Sequence, residues 1–111
     1  MFTVQTTESA DNDFVTELPL TVQATFDAAF SILRRSETPL VSGVGWHVEE
    51  LRQKQRLYPE GMFSLHVGPV FRGLFVRQGQ GLKFFAFGAH REPRDVYAKL
   101  GERGAFVRGI R

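Results

Sequence analysis

The chain contains no cysteine, so disulfides and thiolate metal sites are excluded as sources of stability or chemistry. It also has no apolar run long enough to span a bilayer and no segment resembling a secretory signal. Its three histidines, His47, His66 and His90, are scattered and lack the i,i+4 spacing typical of a helical metal site. We therefore expect no metal, no cofactor, no membrane association and a cytoplasmic location.

Charge is distributed unevenly along the chain. Residues 1–50 carry two basic and eight acidic side chains, whereas residues 51–111 carry twelve basic and four acidic ones. Eleven of the fourteen basic residues are arginine, which holds phosphate through two parallel hydrogen bonds. This asymmetry favours a nucleic acid or another polyanion as a partner. Chance asymmetry is the alternative, because a fold need not keep the two halves of a sequence apart.

The first half of the chain predicts a strand followed by two helices. A hydrophobic content of 42% predicts one domain, residues 1–111, with a single small core. Alternating apolar and polar residues predict a strand over Phe2–Thr7. Ser9 resembles the N-cap of a short helix over Ala10–Leu18. Apolar residues then recur every three or four positions over Leu20–Arg35, which predicts an amphipathic helix with its aromatic face in the core.

The second half predicts β structure. Ser36–Trp46 is expected to be a loop, and His47–Tyr58 has no clear pattern. Three strands then follow in close succession, joined by glycine-containing turns: Met62–Val67, Phe71–Arg77 and Leu82–Gly88. The expected fold class is therefore α+β, with an N-terminal strand, two helices, an antiparallel three-stranded meander and a short C-terminal helix.

The last two predicted strands carry apolar residues on both faces, so both faces of the sheet require cover. We expect a short helix within Arg94–Arg103 to cover part of the second face. A partner chain is expected to lie across the rest of that face, namely Leu74, Val76, Phe85 and Phe87.

The stretch LKFFAFGAHREPRDVY, residues 82–97, is the clearest candidate for function. Its apolar first half ends at a glycine–alanine step, and its second half places His90, Arg91, Arg94 and Tyr97 at the rim of the sheet. Arginine holds phosphate, and tyrosine offers a flat ring on which a base can stack. The pattern indicates a site for an RNA phosphodiester. A strand ending in a solvated charged turn is the alternative.

Polar residues of the neighbouring strands are expected to join this rim. Metal-free RNA cleavage requires a base for the attacking 2′-hydroxyl, positive charge for the phosphate oxygens and an acid for the departing 5′-oxygen. In this hypothesis His66 is the catalytic base, and Arg72 and Arg91 supply the charge. His90 or Arg91 assists departure of the 5′-oxygen, and Tyr97 stacks on a base. Residues expected to contact the substrate are Ser64, His90, Arg94 and the basic run Arg52, Lys54 and Arg56.

Up to about Leu100 the chain resembles the RelE/ParE superfamily of bacterial toxins. The most specific parts are the helix pair broken at Leu18-Pro19, the strand PVFRGLF and the stretch HREPRDVY. Arg91 and Tyr97 fit the arginine–tyrosine spacing of the RelE branch, and Arg72 matches the arginine of its preceding strand. The resemblance implies a RelE-like fold and a type II toxin that cleaves mRNA on the ribosome. It also implies a cognate antitoxin that holds the toxin in a hetero-oligomer.

The chain departs from the RelE branch where two lysines of that branch correspond to Ser64 and His66. His66 as a substitute base is one interpretation, and a catalytically silent, antitoxin-binding member is another. A third is a ParE-like toxin that inhibits DNA gyrase without cleaving RNA. The sequence favours the mRNA endoribonuclease, because gyrase inhibition requires no stacking tyrosine at the position of Tyr97.

Overall fold

Six strands form one mixed sheet that curls into a half-barrel, with helices packed against it. The computed structural model describes residues 1–52 and 58–103. In chain order the elements are β1 (Thr3–Thr6), α1 (Glu8–Glu17), α2 (Leu20–Arg34), β2 (Ser42–Gly43), β3 (Trp46–Glu50), β4 (Met62–Val67), β5 (Phe71–Gln78), β6 (Gly81–Ala89) and a 3₁₀ turn (Val96–Ala98). The 3₁₀ turn continues into a helical turn over residues 99–103. No helix in the described ranges has the length and apolar character of a membrane span.

The expected three-stranded meander is wrong, because the sheet is larger and mixed. Its order is β1-β6-β5-β4-β3-β2, with β1 parallel to β6 and all other neighbours antiparallel. In β3, which the sequence left unassigned, Trp46 and Val48 are buried while His47 and Glu49 are exposed. That alternation is typical of a strand with one face on the core. The chain agrees with the prediction only in containing both helices and a largely antiparallel sheet. The expected RelE-like architecture is not the one observed.

Both predicted helices are confirmed, and the cap of the first is corrected. Thr7 rather than Ser9 precedes α1, and the Thr7 hydroxyl accepts a hydrogen bond from the Ala10 amide at 3.1 Å. α2 follows Pro19 directly. Its face around Phe26 packs on the sheet among other aromatic rings, as the spacing of apolar residues predicted.

The sheet separates two apolar clusters, and a β-bulge decides which residues enter each. The pairing of β5 with β6 shifts register between Leu74 and Phe75. As a result Phe84 and Phe87 lie in the cluster under the helices, whereas Phe85 lies in the cluster on the second face. The expectation that Phe85 and Phe87 share a face is therefore wrong, because the extra residue of a bulge reverses the alternation of side chains.

The second face is covered by the chain itself. Leu74, Val76 and Phe85 are buried there together with Tyr58 and Val96. Val96 belongs to the 3₁₀ turn, so the C-terminal segment does cover this face. The expectation of a partner chain across the same residues is wrong, because their side chains are already removed from solvent.

An ion-pair network fastens α1 and the C-terminal turn to the end of β6. β1 pairs with β6 no further than Phe84. Beyond that point the buried Asp13 carboxylate accepts the Phe87 amide at 3.1 Å and binds Arg103. Lys99 pairs with Asp13 at 3.2 Å and donates to the Phe87 carbonyl at 2.9 Å. These side chains satisfy an edge of β6 that β1 is too short to pair.

Candidate functional site

A cleft of about 380 Å³ opens on the second face of the sheet, beside the smaller apolar cluster. Its lining comes from β3, β4, β5 and the segment that follows β6: Glu49, Leu51, His66, Arg72, His90, Tyr97 and Leu100. The structure therefore brings together four residues that the sequence assigned to a site, His66, Arg72, His90 and Tyr97. Glu49, Leu51 and Leu100 were not predicted to take part.

Strand register explains how the central residues meet. His66 on β4 pairs with Arg72 on β5, and on its other side it pairs with His47 on β3. Glu49 lies two residues beyond His47, on the same face of β3, because side chains alternate along a strand. Three neighbouring strands thus fix one carboxylate, two imidazoles and one guanidinium within a small area.

Arg72 is a buried cation without a carboxylate partner. Its side chain is 8% exposed, and its two terminal nitrogens donate to the carbonyls of Phe71 at 2.9 Å and Pro69 at 3.3 Å. Within residues 1–52 and 58–103, Arg72 forms no ion pair and its Nε has no hydrogen-bond partner. In the described structure, the two terminal nitrogens of Arg72 are therefore already bound to backbone carbonyls and do not present a free pair of donors for phosphate. The Arg72 charge acts on Glu49 from beyond ion-pair distance. A buried charge without a close ion-pair partner is costly, and it makes the cleft attractive to an anion.

His66 is neutral at pH 7. Burial, together with the nearby Arg72 charge, lowers the pKa of its imidazole from 6.5 to about 4, against the opposing effect of Glu49. Its Nε2 is buried and has no hydrogen-bond partner in the described part of the chain. Its Nδ1 lies 3.7 Å from the Glu49 carboxylate oxygen Oε2. The imidazole of His66, which the sequence analysis proposed as the base, is therefore largely shielded from solvent and lies next to Glu49.

Glu49 is the functional candidate that sequence reasoning missed. Its Oε2 lies 2.8 Å from His47 Nε2, and that hydrogen bond is the main cause that lowers the pKa of Glu49. Burial opposes this effect and raises the pKa, while electrostatic interactions with His66, His47 and Arg72 add to the lowering. The alternation of buried Trp46 and Val48 with polar residues was the signal in the sequence that could have identified this strand.

His90 and Tyr97 are held by one acidic residue. The Asp95 carboxylate lies 2.7 Å from His90 Nδ1 and accepts the Tyr97 amide at 2.9 Å. The Tyr97 hydroxyl lies 2.9 Å from the Ser64 hydroxyl, and the His90 and Tyr97 rings meet edge to face at 4.8 Å. Because Nδ1 is occupied, Nε2 is the His90 nitrogen free to meet a ligand. Ser64 is fully buried, so it positions Tyr97 rather than contacting a substrate.

The remaining predicted site residues lie elsewhere. Arg91 and Arg94 are exposed and line a separate cleft of about 340 Å³ beside α1, which Glu17 also lines. Arg91 and Arg72 therefore line different clefts. Arg52 is exposed. Lys54 and Arg56 lie outside the described residues.

Comparison of the chain with protein-family models, with curated proteins and with solved structures gave no match. The resemblance to RelE/ParE toxins therefore stays a prediction from the sequence. What the cleft can do must be argued from its own chemistry: a carboxylate, a buried cation, a neutral imidazole, a second imidazole held by a carboxylate, and a phenol.

Proposed function

We propose that this chain is an endoribonuclease that cleaves RNA without a metal ion, through attack of a 2′-hydroxyl on the adjacent phosphorus. One observation carries the proposal: the positive charge of Arg72 is buried and forms no ion pair with a carboxylate among the described residues. The same cleft holds the carboxylate of Glu49 and the imidazole of His90, which are the acid–base groups that such a reaction requires.

Glu49 is the better candidate for the base. Its side chain is 56% exposed and lines the cleft, whereas Nε2 of His66 is buried. A glutamate carboxylate is ionised at neutral pH, so it can accept the proton of the 2′-hydroxyl. The new bond then forms between the 2′-oxygen and phosphorus.

His90 is the corresponding acid. Asp95 holds Nδ1 of its ring at 2.7 Å, which leaves Nε2 as the nitrogen that meets the substrate. Its Nε2 gives a proton to the 5′-oxygen as the bond from that oxygen to phosphorus breaks. The products are a 2′,3′-cyclic phosphate and a 5′-hydroxyl.

Arg72 and Tyr97 complete the proposed site. The buried Arg72 charge stabilises the extra negative charge on the phosphorane oxygens, and its effect is larger in a partly dry cleft than in water. Tyr97 presents its ring beside His90 and offers a surface for stacking on a base. His66 lies on β4, the strand between those that carry Glu49 and Arg72.

The resemblance to the RelE branch supports mRNA on the ribosome as the substrate and an antitoxin as the protein partner. We propose this substrate as the first to test. Inducible expression of the chain in bacteria, with mapping of transcript 5′ ends, is expected to show growth arrest and discrete cuts within translated regions. DNA breaks with an SOS response and no mRNA cuts would contradict the proposal and indicate gyrase inhibition.

A further inference from the structure

Three side chains beside the cleft form a group suited to a transition-metal ion. The Glu49 oxygen Oε2 lies 2.8 Å from His47 Nε2 and 3.7 Å from His66 Nδ1. One ligand atom from each residue, all three within 4.8 Å of one another, gives a set of two imidazoles and one carboxylate. The sequence did not predict this group, because His66 is adjacent to the other two residues through strand pairing and not through spacing.

The three ligand atoms lie close enough together to converge on one zinc ion after small side-chain movements. Zinc takes imidazole nitrogen and carboxylate oxygen at about 2.0–2.2 Å, and tetrahedral angles then separate the ligand atoms by roughly 3.3 Å. The two separations from Glu49 Oε2 lie on either side of that value, and the two imidazole nitrogens lie within 4.8 Å of each other. All three residues lie on paired strands, which hold ligands more firmly than loops do. His47 is 50% exposed and Glu49 is 56% exposed, so the side chains can adjust and a fourth position stays open to water.

We infer that His47, Glu49 and His66 bind one Zn²⁺ or a similar divalent transition-metal ion, and that the bound ion inhibits RNA cleavage. Coordination of Glu49 removes the carboxylate that accepts the 2′-hydroxyl proton. The inhibitory part of the inference rests on the proposed function, whereas binding of the ion does not.

The surroundings indicate reversible binding and not a permanent cofactor. Arg72 lies beside His66 and repels a cation. The other nitrogen of His66, Nε2, has no acceptor within the described ranges, so the outer hydrogen bond that supports most metal-bound histidines is missing there. We therefore expect a dissociation constant in the micromolar range, suited to regulation by free metal.

Binding is tested by calorimetric titration of the purified chain with Zn²⁺, and by the visible spectrum with Co²⁺, whose absorption reports a tetrahedral site. We expect one ion per chain.

His47→Gln and Glu49→Gln should each weaken binding by about 10-fold or more, since even outer partners of a metal ligand are worth 10–100-fold. His90→Gln removes an imidazole of the same cleft that is outside the group, and its affinity for Zn²⁺ should match that of the wild type. Circular dichroism confirms that each variant is folded. Absence of zinc binding by the wild type, or unchanged binding by folded His47→Gln, overturns the inference.

Inhibition is tested in the RNA cleavage assay with added Zn²⁺ and with a zinc-selective chelator. The wild type should lose cleavage as Zn²⁺ fills the site and recover it with the chelator. For His47→Gln, the cleavage rate with Zn²⁺ is divided by the rate of the same variant with chelator. This ratio should stay close to one. Zinc binding without any cleavage in chelator would reject the proposed function and leave the metal site standing. Cleavage that requires Zn²⁺ would overturn the inhibitory role.

Discussion

His66 and Arg72 face each other across β4 and β5, and each has a buried side-chain nitrogen without a hydrogen-bond partner in the described part of the chain. Native folds rarely leave such groups unsatisfied, because each costs about 1–3 kcal/mol. Two such nitrogens on directly paired residues reduce the stability of the fold at this position. Both residues line the cleft that also holds Glu49, His90 and Tyr97, where we propose that an anionic ligand binds.

Replacing Arg72 tests the source of the positive charge. In Arg72→Gln the charge is removed while hydrogen-bond donors remain for the carbonyls of Pro69 and Phe71. We expect the rate of RNA cleavage to fall by about 10²-fold or more, as it does when a comparable transition-state donor is lost. The measurement is the rate of cleavage of a defined message under single-turnover conditions.

Arg91→Ala is the matched control for this substitution. Arg91 is exposed and lies in the separate cleft beside α1. Its loss should change the cleavage rate by less than a factor of about three, in line with an exposed charge remote from the chemistry. A rate for Arg91→Ala as low as that for Arg72→Gln would show that the cleft has been wrongly chosen.

Glu49→Gln tests the assignment of the base. The amide keeps the size and polarity of the side chain but cannot accept the proton of the 2′-hydroxyl. We expect a loss of about 10²–10⁴-fold in cleavage rate, the usual contribution of general acid–base catalysis. Glu92→Gln, at an exposed position of the other cleft, is the control and should keep its activity. Full activity of Glu49→Gln alongside an inactive His66→Gln would return the role of base to His66.

The lowered pKa of His66 predicts how stability depends on pH. The unfolded chain has a His66 pKa near 6.5 and the folded chain one of about 4. Between these values the unfolded state binds a proton that the folded state does not, so the free energy of unfolding falls as the pH is lowered. This group contributes a loss of roughly 3 kcal/mol between pH 6.5 and 4, and no further loss below that window.

Urea unfolding at a series of pH values, with a chelator present, measures this effect. His66→Asn should remove the corresponding part of the pH dependence, leaving that of the carboxylates. An NMR titration of the wild type that gives His66 an ordinary pKa near 6.5 would contradict the account of its burial beside Arg72.

Asp13 is expected to be the most important acidic residue for stability in α1. Asp13→Asn removes a buried charge that pairs with Lys99 and Arg103 and accepts the Phe87 amide. We expect the free energy of unfolding to fall by about 3 kcal/mol, because two partly buried cations lose their shared partner. Asp27→Asn, exposed on α2, should change it by less than about 0.5 kcal/mol. Equal free energies of unfolding for the two variants in urea would show that the ion pairs of Asp13 with Lys99 and Arg103 do not stabilise the fold.

The sequence predicted what depends on local patterns. Apolar spacing identified α2, and the alternation Phe63, Leu65, Val67 against Ser64 and His66 identified β4 and its two faces. These features follow from the periodicity of side chains along one element, which a single sequence displays directly.

What the sequence could not predict depends on residues that meet from distant parts of the chain. The bulge that separates Phe85 from Phe87 is defined by pairing with β5, and Glu49 enters the cleft through the register of β3 with β4. Asp13 lies on α1, yet its cationic partners Lys99 and Arg103 are 86 and 90 residues further along the chain. The placement of Arg91 and Arg72 in different clefts likewise depends on tertiary packing of the segment after β6.

Cleavage of a message carrying one 2′-deoxy nucleotide tests the central claim most directly. Purified chain is added to a translation extract programmed with an mRNA that it cuts at a mapped position, and to the same mRNA with the 2′-hydroxyl removed at that position alone. We predict a 2′,3′-cyclic phosphate at the end of the normal product and no cut at the substituted position, with cuts elsewhere unchanged. Cleavage of the 2′-deoxy position at the normal rate, or no cleavage of any RNA by the folded chain, would contradict the account.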